Sequence, residues 1–123
     1  MDFSFKKTER LNKKIWIKEL FEKGSSFYLY PFKVLLLPHP DNSETNQILV
    51  SVSKRNFKKA VDRNKIKRRI RESYRLKRNS YSSSNKYLIA YLYTSKEIMP
   101  FNEIQESMTK ILDKIKGLDT NTK

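Results

Sequence analysis

The residues best equipped for chemistry lie between Lys54 and Arg78, where 13 lysines and arginines stand against 2 acids and where seven of the eight arginines fall. The other 98 residues hold 14 bases and 11 acids, so the formal charge of +14 is concentrated in one stretch. A guanidinium presents a planar fork that matches phosphate oxygens, and a field of this sign gathers polyanions. The partner that this composition implies is a nucleic acid. Side-chain hydrolysis has little to work with. There is no cysteine, and the single histidine, His39, sits between Pro38 and Pro40 in a turn and reads as a plain loop residue. Asp41, Glu44, Glu103, Glu106 and Asp113 are scattered without metal-ligand spacing.

The basic stretch is not a uniform tag. At about 100° per residue, Ile66, Ile70, Ser73 and Tyr74 fall within one arc, the width of a core-facing stripe. Beside it gather Asn64, Lys67, Arg68, Arg71 and Arg75, leaving Lys65, Arg69 and Glu72 on the remaining side. Asp62 stands where a helix start favours negative charge. The row Arg63, Lys67, Arg71, Arg75 is basic at every step, although like charges four apart repel by a few tenths of a kcal/mol. An ordinary solvated face mixes signs, so the pattern predicts a helix anchored on one side and presented to a polyanion on the other.

The elements that hold this helix follow from periodicity. "LNKKIWIKELFEKG" reads as a helix with Leu11, Ile15, Ile17, Leu20 and Phe21 on its apolar side and Gly24 at its end. "SFYLYPFKVLLL" (26–37) reads as a strand, with Pro31 arguing for an edge or a bulge. A polar turn, "PHPDNSETN", leads to the alternating strand "QILVSVS" (47–53). After the basic helix, "NSYSSSN" (79–85) is a flexible connector, and "KYLIAYLY" (86–93), apolar on both faces, is a central strand. A last helix runs from Asn102 to about Lys116 on Ile104, Met108, Ile111, Leu112 and Ile115, closed by Gly117. Trp16, Phe27 and Tyr91 read as core or partial core. The sequence predicts one α+β domain over 1–118 with a frayed tail at 119–123. Leu, Ile, Val and Phe supply 33 of the 123 residues, enough for a core. No run of eighteen apolar residues and no signal-peptide stretch is present, so a cytoplasmic protein with no membrane partner is expected.

The strand end "SVSK" (51–54) followed by "AVDRNKIKRRIRESYR" (60–75) resembles the "RNR" signature of the protein subunit of bacterial ribonuclease P. The N-terminal "ERL", the helix ending "LFEKG" and the aromatic-rich strand after it resemble that family too, over roughly residues 3–115. The resemblance implies an α-β-β-α-β-α sandwich of the ribosomal protein S5 domain 2-like kind, with the signature helix in a left-handed βαβ crossover. It implies a ribonucleoprotein in which RNA, with Mg2+ bound mainly by that RNA, cleaves the 5′ leader from precursor tRNA. Ribonuclease P RNA and precursor tRNA would be the partners, with no obligate protein partner. On this resemblance the RNA-binding set is Lys54, Arg55, Lys58, Arg63, Asn64, Lys67, Arg68, Arg71 and Arg75. A cleft between the first helix and the sheet, with Ile17, Phe21, Leu35 and Ser53, would take the single-stranded leader. The chain departs from the family at Lys65, the third signature position, in the glycine-free loop "KRNFKKAV", and at Ile17 and Leu35, where relatives often carry aromatics.

Other readings lead to different outcomes. A ribosomal or other structural RNA-binding protein shares size and charge but has no preference for leader-bearing tRNA. A DNA-binding recognition helix is expected beside a second helix rather than between strands. A protein-only nuclease cleaves RNA unaided.

Overall fold

The structure is a computed structural model that describes residues 9–41, 45–78 and 86–121, the side chains of 118–121 excepted. Residues 1–8, 42–44, 79–85 and 122–123, which include the expected connector and the end of the expected tail, lie outside the described residues. The elements in order are α1 (Lys14–Lys23), β1 (Ser25–Leu29), β2 (Phe32–Pro38), β3 (Gln47–Val52), α2 (Ala60–Lys77), β4 (Tyr87–Tyr93) and α3 (Phe101–Asn121).

The stretch expected as one strand over 26–37 is a hairpin. Tyr30 and Pro31, joined by a cis peptide bond, form the turn, and β1 and β2 pair antiparallel from Ser25↔Leu36 to Leu29↔Phe32. Pro31 has no N–H for a ladder, which suits a turn better than a strand interior. The sheet order is β1-β2-β4-β3, with β2 antiparallel and β3 parallel to β4. The all-apolar β4 is central, as its lack of a polar face predicts. Because β3 and β4 are parallel, the chain between them must cross over, and α2 is the crossover.

Alternation divides the sheet into two faces. Phe32, Val34, Leu36, Ile48, Val50, Val52, Tyr87, Ile89, Tyr91 and Tyr93 pack beneath Ile66, Ile70 and Tyr74 of α2 and Ile104, Met108, Ile111 and Ile115 of α3. On the other face Leu35, Leu88 and Ala90 pack against Leu11 and Leu20, with Trp16 and Ile17 beside them. Tyr91 is core; Trp16 and Phe27 are partly buried.

Two helix limits differ from the sequence reading. α1 begins only at Lys14, and Ile15 and Phe21 are exposed rather than facing the core, because a ten-residue helix across a narrow sheet buries one short stripe. It does end at Gly24, whose N–H is donated to the Leu20 carbonyl at 3.0 Å. A Cβ there would stand 2.4 Å from that oxygen, so this close approach excludes a side chain. α3 runs through Gly117 to Asn121 instead of stopping. A glycine costs only about 1 kcal/mol inside a helix and enforces no stop without a left-handed turn, and no glycine here has positive φ.

Candidate nucleic-acid interface

The buried residues of α2 are Ile66, Ile70, Ser73 and Tyr74, the four of the predicted stripe. Their burial fixes which side of the helix remains outside. Asn64, Lys65 and Arg68 are exposed, and Lys67 and Arg71 are half-buried at the flanks. Asp62 lies in the first turn. The preceding loop leaves Lys54, Arg55 and Lys58 exposed while Phe57 enters the core. It is shaped by local bonds: Phe57 N–H donates to the Ser53 carbonyl at 3.1 Å, and Arg55 N–H to Ser53 Oγ at 3.0 Å.

Several arginines of the basic run are engaged with the protein itself. Arg63 Nη1 donates to the carbonyls of Phe57 and Lys58 at 2.8 and 2.9 Å, so it organises the loop that carries Lys54, Arg55 and Lys58. Arg69 Nη1 donates to the Met99 carbonyl at 2.6 Å and ties α2 to the entry of α3. Arg75, expected in the RNA-facing set, is paired with Glu72 one turn back. Hydrogen bonding to Arg75 holds the Glu72 carboxyl below its usual range, and the same bond raises Arg75. Arg78 Nη1 meets Glu9 Oε1 at 2.5 Å, both largely buried. Arg63 and Arg75 therefore differ from Asn64 and Arg68, which stand outward from the helix.

The second surface is the sheet face under α1. α1 lies over β2 and β4, and pairing across all four strands sets out transverse rows. One row, Ser26, Leu35, Ala90 and Leu49, runs beneath the helix; the next, Tyr28, Lys33, Leu92 and Ser51, lies beyond it. Tyr28, Lys33 and Ser51 are exposed and Leu92 is half-buried. Phe21, 50% exposed, stands on α1 at the same face, with Ile17 half-buried beside it. Leu35 is a correction: at 7% exposure it is packed with Leu11, Leu20, Leu88 and Ala90 and supports the face from below. Ser53 is exposed at the end of β3, where the sheet face meets the basic loop. Tyr28 and Lys33 were missed because the hairpin places them opposite each other, and reading the run as one strand hides that pairing. His39, read as a plain loop residue, lies just past β2: its Nδ1 accepts the Asp41 N–H at 3.0 Å and its ring meets Trp16 edge-on.

A basic helix crossing between parallel strands, beside a half-open face, can hold structured RNA and an unpaired strand at once. A sequence model of the family Ribonuclease P matches residues 5–116. The chain belongs to the ribonuclease P protein family. The ribonuclease P protein component of Porphyromonas gingivalis is 33% identical over 94% of this chain and 88% of that protein. That of Clostridium novyi is 31% identical over 87% and 93%. Among solved structures, the Staphylococcus aureus RNase P protein superposes with a TM-score of 0.69 at 27% identity, over 87% of this chain and 94% of that one. The Thermotoga maritima RNase P protein reaches 0.72 at 22% identity, over 86% and 96%, a likeness of fold. No helix among the described residues is long and apolar enough to cross a membrane.

Proposed function

We propose that the chain is the protein subunit of a ribonuclease P ribonucleoprotein, in which an RNA subunit removes the 5′ leader of precursor tRNA and the protein contributes binding and electrostatics. The observation that carries this reading is the meeting of two surfaces at Ser53–Arg55. The exposed bases of α2 and its loop lie on one side, and the half-open face with Phe21, Tyr28, Lys33 and Leu92 on the other. In this reading Lys54, Arg55, Lys58, Asn64, Lys67, Arg68 and Arg71 contact the catalytic RNA, with Arg63 holding their loop in shape. Bringing two RNAs together is opposed by phosphate repulsion, and fixed cations at the junction lower that cost. The leader crosses the open face, where base stacking on a ring contributes about 1–3 kcal/mol and tolerates many sequences. In this reading the magnesium of the reaction is bound mainly by the RNA.

Reconstitution tests the proposal. The purified protein is added to bacterial ribonuclease P RNA at low magnesium with precursor tRNA. Cleavage at the mature 5′ end that requires both components is expected. Cleavage by the protein alone, or no stimulation of the RNA, overturns the reading; binding without preference for leader-bearing tRNA points to a structural RNA-binding protein.

A further inference from the structure

Tyr28 and Tyr30 stand 59% and 56% exposed, yet both are tied down at their tips. Thr94 Oγ1 donates to the Pro31 carbonyl at 2.8 Å, so in its 3.2 Å bond with the Tyr28 hydroxyl it is the acceptor. Tyr30 donates to Ser95 Oγ, also at 3.2 Å. The loop that receives them is itself fixed. The Thr94 N–H donates to the Pro31 carbonyl at 2.7 Å, the Glu97 N–H donates to Ser95 Oγ at 3.0 Å, and Ser95 is buried. From α3, Ser107 donates to the Tyr30 carbonyl at 2.9 Å. Holding an exposed side chain in one rotamer is unfavourable by itself, and the fold buries less than half of either residue. Tyr28 also ends the row Tyr28, Lys33, Leu92, Ser51, on the outermost strand, three strand spacings or about 14 Å from Ser51. Its tip reaches Thr94, two residues past Leu92 and bonded to Pro31, so the ring lies diagonally across the start of β2.

We propose that Tyr28 and Tyr30 form a stacking station for unpaired nucleotides at the outer edge of the sheet, which holds the far end of a long leader; the proposal rests on reading the open face as the leader's and deepens it. The station lies on β1 and its turn, outside the ground that α1 covers on β2 and β4. A base finds an aromatic face there whatever its sequence, and a ring already held at its tip loses less freedom when a base stacks on it. Lys33, the partner of Tyr28 across the hairpin, is the one cation of the row and is exposed toward an adjoining phosphate. In the receiving loop Lys96 and Glu97 balance in charge, so what the two tyrosines offer is ring surface rather than field.

Precursor tRNAs whose leaders lengthen one nucleotide at a time are titrated with the holoenzyme. Wild-type affinity is expected to rise with leader length and then level off. Tyr28→Leu should lose about 5- to 150-fold with long leaders and nothing with the shortest leader or with mature tRNA, at an unchanged log-log salt slope. Tyr30→Leu should act only on leaders at least as long as those that feel Tyr28→Leu. Tyr28→Phe and Thr94→Val keep the ring but free its tip. Each should lose part of the Tyr28→Leu effect, and the two together no more than the larger, as expected of one shared interaction. Losses that are equal at every leader length, losses that extend to mature tRNA, or no loss at all refute the station. Wild-type binding by both Tyr28→Phe and Thr94→Val refutes the positioning by the hydroxyl bonds. Fluorescence polarisation of a labelled, unstructured RNA oligonucleotide with the protein alone reads the same rings without ribonuclease P RNA. Weaker binding by Tyr28→Leu supports the station whatever the reconstitution shows, and unaltered binding beside a working reconstitution refutes the station while leaving the function standing.

Discussion

One face of the sheet lies beneath α2 and α3 and is closed along its length, whereas the other carries only α1 and stays half open. The same strands build both, with successive residues pointing to opposite sides. Where two helices cover the strands, the side chains are large and dry: Phe32, Ile70, Tyr91 and Met108 are all at 0% exposure. Where one short helix covers them, Tyr28, Lys33, Ser51 and Phe21 remain within reach of solvent. The closed face supplies the stability that keeps α2 in place. On the open face a partner can replace water over residues that the fold does not need to bury.

That contrast can be broken from either side. Ile70→Ala, on the closed face, should cost about 2–5 kcal/mol, read as a lowered Tm or denaturant midpoint; a cost below about 1 kcal/mol would mean that this face is not the stabilising one. Alkali attacks the same face. Burial, followed by weaker effects that include a lowering hydrogen bond with Asn46 and a raising one from the charge of Glu9, pushes the Tyr74 phenol up to about 12 from 10.0. A phenol whose folded pKa is raised contributes stability that is whole below the unfolded value and is lost as pH climbs through the folded one. The loss therefore falls between about pH 10 and pH 12 and amounts to about 3 kcal/mol. Urea unfolding at pH 9 and pH 12 should show a smaller drop in Tyr74→Phe than in the wild type, since lysine deprotonation is common to both. Equal drops would remove Tyr74 from the account.

The open face should respond through binding. Phe21→Ala should change stability by no more than about 1 kcal/mol yet weaken precursor tRNA by about 1–3 kcal/mol, leaving mature tRNA unaffected in the same titration. Equal losses for both RNAs would show that the open face does not hold the leader. Smallest in energy is Arg68→Ala, within about 0.5 kcal/mol in stability. It should weaken the catalytic RNA whatever the substrate and make the log-log salt slope shallower by about one.

The anchoring stripe of α2 was legible because Ile66, Ile70, Ser73 and Tyr74 repeat at the helical period, and a stripe of that width on a helix has one use in a globular domain. The central place of β4 was legible for a similar reason, an apolar run with no polar face. Phe21 as an open-face residue came from the family likeness, while periodicity alone put it with the buried side of α1. The split of 26–37 into a hairpin was signalled by Tyr30 and Pro31 but outweighed by the apolar residues around them. Which arginines face outward was not legible. Arg63, Arg69 and Arg78 find their partners at Phe57, Met99 and Glu9, and the last two lie 30 and 69 residues away in the chain.

By itself, then, the sequence determined the α+β class and the amphipathic basic helix and pointed to a polyanionic partner, since charge, period and composition are local properties that survive without coordinates. Tertiary structure alone decided that Leu35 is sealed under α1, that the arm at Arg10 bridges to Ile48 of β3, and that Tyr28 and Lys33 share a row with Leu92. These depend on strand register and on which edge the arm follows. Such pairings are settled by the packing of distant segments against one core, and no single stretch of chain records them.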